Sequence, residues 1–320
     1  MNLYNLGRIK YCWIFVTERC NLQCTYCFYK FRSCKGKIIS PPFLKALLCL
    51  CSGYAETEYV LSGGEPLLEW EAVRRIIKSI RTQSKRFILV QTNGILLDEC
   101  KIDFFKKNNV GIEVGFDGTP ETSARYRLGI VNHCGRIAKT ICHARAKGLS
   151  VYSTMTVHPS QANKIPENYF ALQEMGFDKI EITPAAFECW GKASVEAFKS
   201  GYLQVVKKSV VNRQRGSISL EYDRPMTGLT FDIIATPDNL VLANWALLAL
   251  PLSQKRKFCL ADFTGKDIVF NDSFIAEYAK RCSGVVKKDV MITYRDLSDI
   301  NVAWVDDITR SRGGVKGLSG

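Results

Sequence analysis

Apolar residues follow two alternating rhythms along the chain. Short apolar runs at 11–16, 58–61, 87–91, 111–116, 151–157 and 179–183 read as strands. Between them, apolar residues recur at helical spacing at 42–51, 68–80, 102–107, 137–147 and 167–175. The punctuation agrees: Ser40 precedes the first helix, and Gly148 and Gly176 stop two later ones. Strands alternating with helices, in units of about 30 residues, predict βαβ crossovers and a parallel sheet. The expected fold class is α/β, a partial (β/α)6 barrel of the TIM type with its chemistry at the C-terminal strand ends.

After Pro184 the rhythm changes. Residues 193–211 read as one long amphipathic helix. Short β runs follow at 217–222, 231–235 and 240–242, with the turn residues Pro237, Asp238 and Asn239 between the last two. A further helix is expected at 270–279. The organisation predicted is a barrel over 1–190, a small α+β extension over 191–310 and a flexible Gly-rich tail over 311–320.

Composition narrows the class. Hydrophobic residues make up 47% and charged residues 23%, the mix of a soluble globular protein. No run of about 18 apolar residues predicts a membrane span, and the N-terminus lacks the pattern of a signal peptide. A cytoplasmic protein is expected. Its 13 cysteines are then packing residues or metal ligands. Cys49, Cys51, Cys100, Cys134 and Cys142 fall in helical apolar patterns and are expected to pack. The net charge of +13 implies an acidic partner. The positive residues are scattered, apart from Lys255–Lys257, Lys207-Lys208 and the tail. A solvated basic surface is expected rather than a nucleic-acid groove, and no aromatic–basic stacking platform appears.

The chemistry concentrates after the first strand. Cys20, Cys24 and Cys27 stand at the spacing Cys-x3-Cys-x2-Cys. Three thiolates on one loop can hold an iron–sulfur cubane and leave one iron open to a reacting ligand. A structural zinc site would want four closed ligands, with Cys34 as the candidate fourth. Further along come Leu61-Ser62-Gly63-Gly64-Glu65-Pro66, Gln91-Thr92-Asn93-Gly94, Gly115-Phe116-Asp117-Gly118 and Ala124-Arg125-Tyr126-Arg127-Leu128-Gly129, each after an expected strand or close to one.

The triplet, with Tyr26 before its last cysteine, resembles the signature of the radical S-adenosylmethionine superfamily. The order of the later motifs resembles its peptide- and protein-modifying maturases, of the sulfatase-maturase kind. The resemblance implies one [4Fe-4S] cluster on Cys20, Cys24 and Cys27, with S-adenosylmethionine bound by Tyr26, Gly63, Gly64, Glu65, Asn93 and Arg127. It implies reductive cleavage to a 5′-deoxyadenosyl radical that takes hydrogen from a ribosomally made precursor peptide, ending in epimerisation, fragmentation or cross-linking. The alternative implied is a small-molecule or RNA substrate. Gly115 departs from the pattern, since relatives often carry a serine there.

Such maturases usually append a cysteine-rich domain with auxiliary clusters. Residues 217–265 resemble its scaffold without the metal, with Asn244-Trp245 where relatives have a ligand cysteine. Cys189, Cys259 and Cys282 are then candidate hydrogen donors, or together an unusual three-cysteine site. The partners expected are the precursor peptide, a separate leader-recognition protein and an electron donor such as flavodoxin or ferredoxin.

Overall fold

The computed structural model describes residues 11–27, 29, 36–54, 57–185, 188–211, 217–219, 233–242, 248, 251–259, 261–265 and 268–270. The first half runs β1 (Tyr11–Thr17), β2 (Gln23–Cys24), α1 (Pro41–Ser52), β3 (Glu58–Gly63), α2 (Trp70–Gln83), β4 (Ile88–Thr92), α3 (Glu99–Lys107) and β5 (Val110–Gly115). Then come α4 (Pro120–Tyr126), β6 (Arg127–Leu128), α5 (Cys134–Ala146), β7 (Val151–Val157), α6 (Ile165–Glu174) and β8 (Lys179–Pro184). The remainder is α7 (Lys192–Val211), β9 (Ser217–Ser219), β10 (Ile233–Ala235), β11 (Leu240–Leu242), α8 (Leu252–Phe258), β12 (Ala261–Phe263) and β13 (Ile268–Phe270).

Strands β1, β3, β4, β5, β7 and β8 pair in parallel, in that order, and are the six strands expected of the partial barrel. Alternation along each strand separates two faces. On β7, Val151, Ser153, Met155 and Val157 are buried while Tyr152, Thr154 and Thr156 are half-buried. On β8, Ile180 and Ile182 are buried while Lys179, Glu181 and Thr183 are half-buried. The fully buried face carries the helices, and the other lines the lumen.

The helices close the core by their own patterns. Ser40 caps α1 by accepting from the Phe43 amide, and Pro41 opens its first turn. On α2, Ala72, Val73, Ile76, Ile77 and Ile80 are buried. Each such valine or isoleucine contributes about 1.5–3 kcal/mol by leaving water. α4 escaped the periodicity reading because it is short, although Thr119 caps it and Pro120 starts it.

The described strands after residue 190 join the same sheet. β9 pairs in parallel with β8 at one edge, and β10 with β1 at the other. β11, β12 and β13 continue from β10 as antiparallel neighbours. The β10–β11 turn therefore lies beside the C-terminal end of β1.

Three expectations are corrected. Phe270 ends strand β13 and does not begin a helix. Cys49, Cys100 and Cys142 are exposed, because the registers of their helices turn them to solvent; Cys51 and Cys134 are buried as expected. Lys255, read as part of a basic surface run, is 1% exposed. The expected helix beyond Phe270, the tail, Cys34, Asn244-Trp245 and Cys282 lie outside the described residues. Among the described residues no helix is long and apolar enough to cross a membrane.

Candidate functional site

The cysteine loop leaves β1 at the C-terminal end of the barrel and is fastened on several sides. Leu22, 1% exposed, anchors it in the core. The Leu22 amide donates to Cys20 Sγ at 3.5 Å, and the Cys27 amide to the Cys24 carbonyl at 3.2 Å. β2 pairs antiparallel with β6, setting Cys24 opposite Arg127, and the Thr25 amide donates to the Tyr126 carbonyl at 2.9 Å. All three thiols are half-buried, and none is in a disulfide. Burial pushes the Cys24 thiol up to about 11; Arg127 opposes this, while Asp117, Cys27 and Cys20 add to it. The three sulfurs thus lie within each other's electrostatic reach.

Among the described residues no three His, Cys, Asp or Glu side chains close on a single-ion site. In a cubane each thiolate meets a different iron, so the sulfurs need not converge on one point as zinc ligands must.

The Gly63-Gly64-Glu65 segment is bonded to this loop. The Gly64 amide donates to the Thr17 carbonyl at 2.8 Å, and the Glu65 amide to the Arg19 carbonyl at 2.7 Å. A Cβ on Gly63 would sit 2.5 Å from the Thr17 oxygen, and one on Gly64 only 2.2 Å from the Arg19 oxygen. The glycines are required because one backbone packs on another, before any ligand is considered.

Glu65 is fully buried. Its Oε1 accepts from Thr92 Oγ1 at 2.7 Å and the Leu67 amide at 3.0 Å, and its Oε2 from the Asn93 amide at 2.7 Å. Burial outweighs these bonds and pushes its carboxyl up to about 6. Asn93 is also engaged: its Oδ1 accepts from the Ile95 amide, and its Nδ2 donates to Asn21 Oδ1 at 2.7 Å. The Glu65 side chain ties the β3 loop to the β4 loop, and the Asn93 side chain ties the β4 loop to the cysteine loop.

Asp117, just after β5, gathers three partners. Oδ2 accepts from the Tyr26 hydroxyl. Oδ1 accepts from Arg127 Nη2 at 2.8 Å and from the Thr156 amide at 3.1 Å. The Arg127 guanidinium lies 5.7 Å from the centre of the Tyr26 ring. It also fills the space over Gly115, where a Cβ would be 2.6 Å from Nη1. A side chain at residue 115 would have to share the arginine's space. Arg127 Nε is buried without a hydrogen-bond partner, and an orphaned donor of this kind awaits an acceptor.

A polar belt crosses the lumen one layer lower. Ser62 Oγ donates to Gln91 Oε1 at 2.8 Å, Gln91 Nε2 donates to Glu113 Oε1 at 2.7 Å, and Thr154 Oγ1 donates to the same oxygen. Burial raises the Glu113 carboxyl, with these two bonds and then Lys179 and Arg127 opposing. Sequence reasoning missed Glu113. The available signal was a lone charge between Gly111 and Gly115 on the lumen face of an apolar strand.

Of the downstream cysteines, Cys189 is exposed on the loop after β8. Its neighbour Glu188 stands 3.6 Å from His158, which stacks on Tyr126 at 4.7 Å. Cys259 is 4% exposed and donates to the Arg256 carbonyl at 3.3 Å.

Comparison with known proteins agrees with this geometry. The family model of the Radical SAM superfamily matches residues 14–182. The chain is 24% identical over 215 residues to a PqqA peptide cyclase of Gluconobacter oxydans, covering 66% of this chain and 60% of that one. It is 32% identical over 125 residues to a cysteine-type anaerobic sulfatase-maturating enzyme of Clostridium novyi, covering 35% and 33%. It is likewise 32% identical over 103 residues to a probable GTP 3′,8-cyclase of Methanococcus vannielii, covering 32% and 34%. The chain thus spans between a third and three-fifths of these relatives' lengths. In structure it resembles anSMEcpe crystallised with AdoMet, at a TM-score of 0.72 and 17% identity over 94% of this chain and 99% of that one.

Proposed function

The chain belongs to the radical SAM superfamily, and on that premise we propose that it modifies a ribosomally made precursor peptide by radical hydrogen abstraction. The family works with a [4Fe-4S] cluster and S-adenosylmethionine. What these supply when bound is a 5′-deoxyadenosyl radical, made by one-electron reductive cleavage of the sulfonium. The observation that carries the reading is the cysteine loop: three half-buried thiols outside any disulfide, bolted to the barrel rim beside a buried guanidinium with an unused donor.

In this reading Cys20, Cys24 and Cys27 hold three irons. Arg127 offers Nε to the carboxylate of the cofactor, a pairing that suits a guanidinium. Glu65 and Asn93 act as ties that hold Gly63 and Gly64 against the cysteine loop, so that backbone is what this segment presents. Tyr26 serves through Asp117. The peptide-cyclase relative, the one matched over the longest stretch of the three, supports a peptide substrate. The GTP-cyclase relative favours a second reading, a nucleotide substrate, over a shorter stretch. If the reaction returns a hydrogen atom, Cys189 is our candidate donor, supported by its exposure on the loop after β8. Cys259 is buried and engaged with its own helix end.

The first test is 5′-deoxyadenosine release after anaerobic cluster reconstitution and reduction. Wild type should release it and Cys20→Ala should not; release by Cys20→Ala would sink the assignment. The second is mass spectrometry of a short peptide encoded beside the gene, with GTP in parallel. Unchanged peptide mass in H2O with one deuterium gained in D2O means epimerisation, loss of two hydrogens means a cross-link, and a larger loss means fragmentation. Turnover of GTP alone would replace the peptide reading.

A further inference from the structure

Lys255 has no place in the chemistry above, yet at 1% exposure it is as deeply buried as Asp117. It comes from α8, and its ammonium stands 4.8 Å from the centre of the Tyr29 ring. Tyr29, also 1% exposed, donates its hydroxyl to Glu18 Oε1 at 3.0 Å. Glu18 lies two residues before Cys20 and Tyr29 two residues after Cys27, so the residues bracketing the loop meet at this lysine. On its far side Asp238, in the β10–β11 turn, is 7% exposed and takes Lys37 at 2.7 Å. Burial lowers the lysine's pKa, and Lys37 adds to this; Asp238 and Glu18 are the carboxylates whose fields oppose it and favour the charge.

Burying an ammonium costs several kcal/mol, more than an apolar stem of the same shape would. What the ammonium adds is a fixed positive charge in a low-dielectric core, where salt screens it weakly. The potential of an iron–sulfur cluster is set in part by the charge and burial around it.

Building on the reading that Cys20, Cys24 and Cys27 hold the cluster, we propose that Lys255 is a positioning residue whose charge raises the cluster's reduction potential and eases entry of the first electron. The step is a one-electron transfer: a low-potential donor is oxidised and the cluster passes from [4Fe-4S]2+ to [4Fe-4S]1+. Lys255 touches neither cofactor nor substrate. It acts from behind the loop, through Tyr29 and Glu18.

The test is a redox titration of the reconstituted full chain, followed by the electron paramagnetic resonance of the reduced cluster. Lys255→Met should shift the midpoint to more negative potential, by about tenfold in the reduction equilibrium or about 59 mV for a one-electron couple. Lys255→Arg should stay near wild type. Asp238→Asn, which removes a negative charge, should shift it the other way. A Lys255→Met cluster with wild-type potential would overturn the proposal. Should that variant fail to take up a cluster, an unmoved Asp238→Asn midpoint would overturn it equally. A wild-type chain that builds no cluster overturns the reading of the triplet and this proposal with it; a wild-type cluster indifferent to Lys255 overturns the proposal alone.

Discussion

The cysteine loop is flanked by two buried clusters of the same parts. On one side Tyr26, Asp117 and Arg127 meet beneath β5 and β6; on the other Tyr29, Glu18 and Lys255 meet beneath α8. In each a tyrosine hydroxyl donates to a carboxylate and a cation lies over the ring. The difference lies in what the cation does. Arg127 is locked to Asp117 at 2.8 Å and still holds back a buried donor. Lys255 sits among carboxylates that act on it as a field. A planar fork can pair with one anion and address another, whereas an ammonium is a point charge. On the reading proposed above, the first flank holds a ligand and the second sets a potential.

The strongest way to break this comparison is Arg127→Met. It strands Asp117 as a buried, unpaired carboxylate, which costs about 3–5 kcal/mol. Chemical denaturation of the cluster-free protein should show that loss, and 5′-deoxyadenosine release should vanish. A variant as stable as wild type would mean that Asp117 does not depend on the arginine. Gly115→Ser asks the narrower question of whether the arginine needs its particular space. Its new Cβ would meet Nη1 at 2.6 Å, so the guanidinium must move, at about 1–3 kcal/mol. Wild-type activity in Gly115→Ser would show that the space over residue 115 is shared and not owned by Arg127.

Glu65 belongs to neither flank and gives an internal standard of about 2 kcal/mol. Its carboxyl rises from 4.5 to about 6 on folding, and each unit is about 1.4 kcal/mol. The folded state binds this proton more tightly than the unfolded chain. The stabilisation is therefore complete below pH 4.5 and lost as pH rises through 6. Glu65→Gln removes the titration. The stability of wild type relative to the variant should climb by about 2 kcal/mol between pH 7 and pH 4.5; a flat difference would mean that the carboxyl does not titrate in this window.

The same two flanks show what the sequence discloses. Cys20, Cys24 and Cys27, Tyr26 and Arg127 are legible because they lie in short motifs whose spacing is itself the signal. The six barrel strands are legible because burial on one face forces alternation or continuous apolar runs. Lys255 is not, because α8 has 7 residues, too few for periodicity to mark the face that meets the core. The motif says less at Glu65 and Asn93. It names residues of a ligand loop, but which of them turn toward a neighbouring loop depends on backbone contacts far apart in sequence, such as Gly64 to Thr17 and Glu65 to Arg19. Gly115 was visible as a departure, and the guanidinium above it needed three dimensions.

The smallest expected effect bounds the second flank from outside. Lys37 pairs with Asp238 at 2.7 Å, but its side chain is 55% exposed while that of Asp238 is 4% exposed. An ion pair open to solvent at its cationic end is screened, and holding a long side chain in place costs entropy, so such pairs contribute about 0–1 kcal/mol. Asp238 keeps Lys255 nearby when Lys37 is removed. Lys37→Ala should therefore lower stability by less than about 1 kcal/mol, by less still in high salt, and should leave the dependence of the cluster potential on Lys255 intact. A loss as large as that of Arg127→Met would mean that Asp238 depends on the outer lysine, and the charge behind the cysteine loop would then be held from the surface and not from the core.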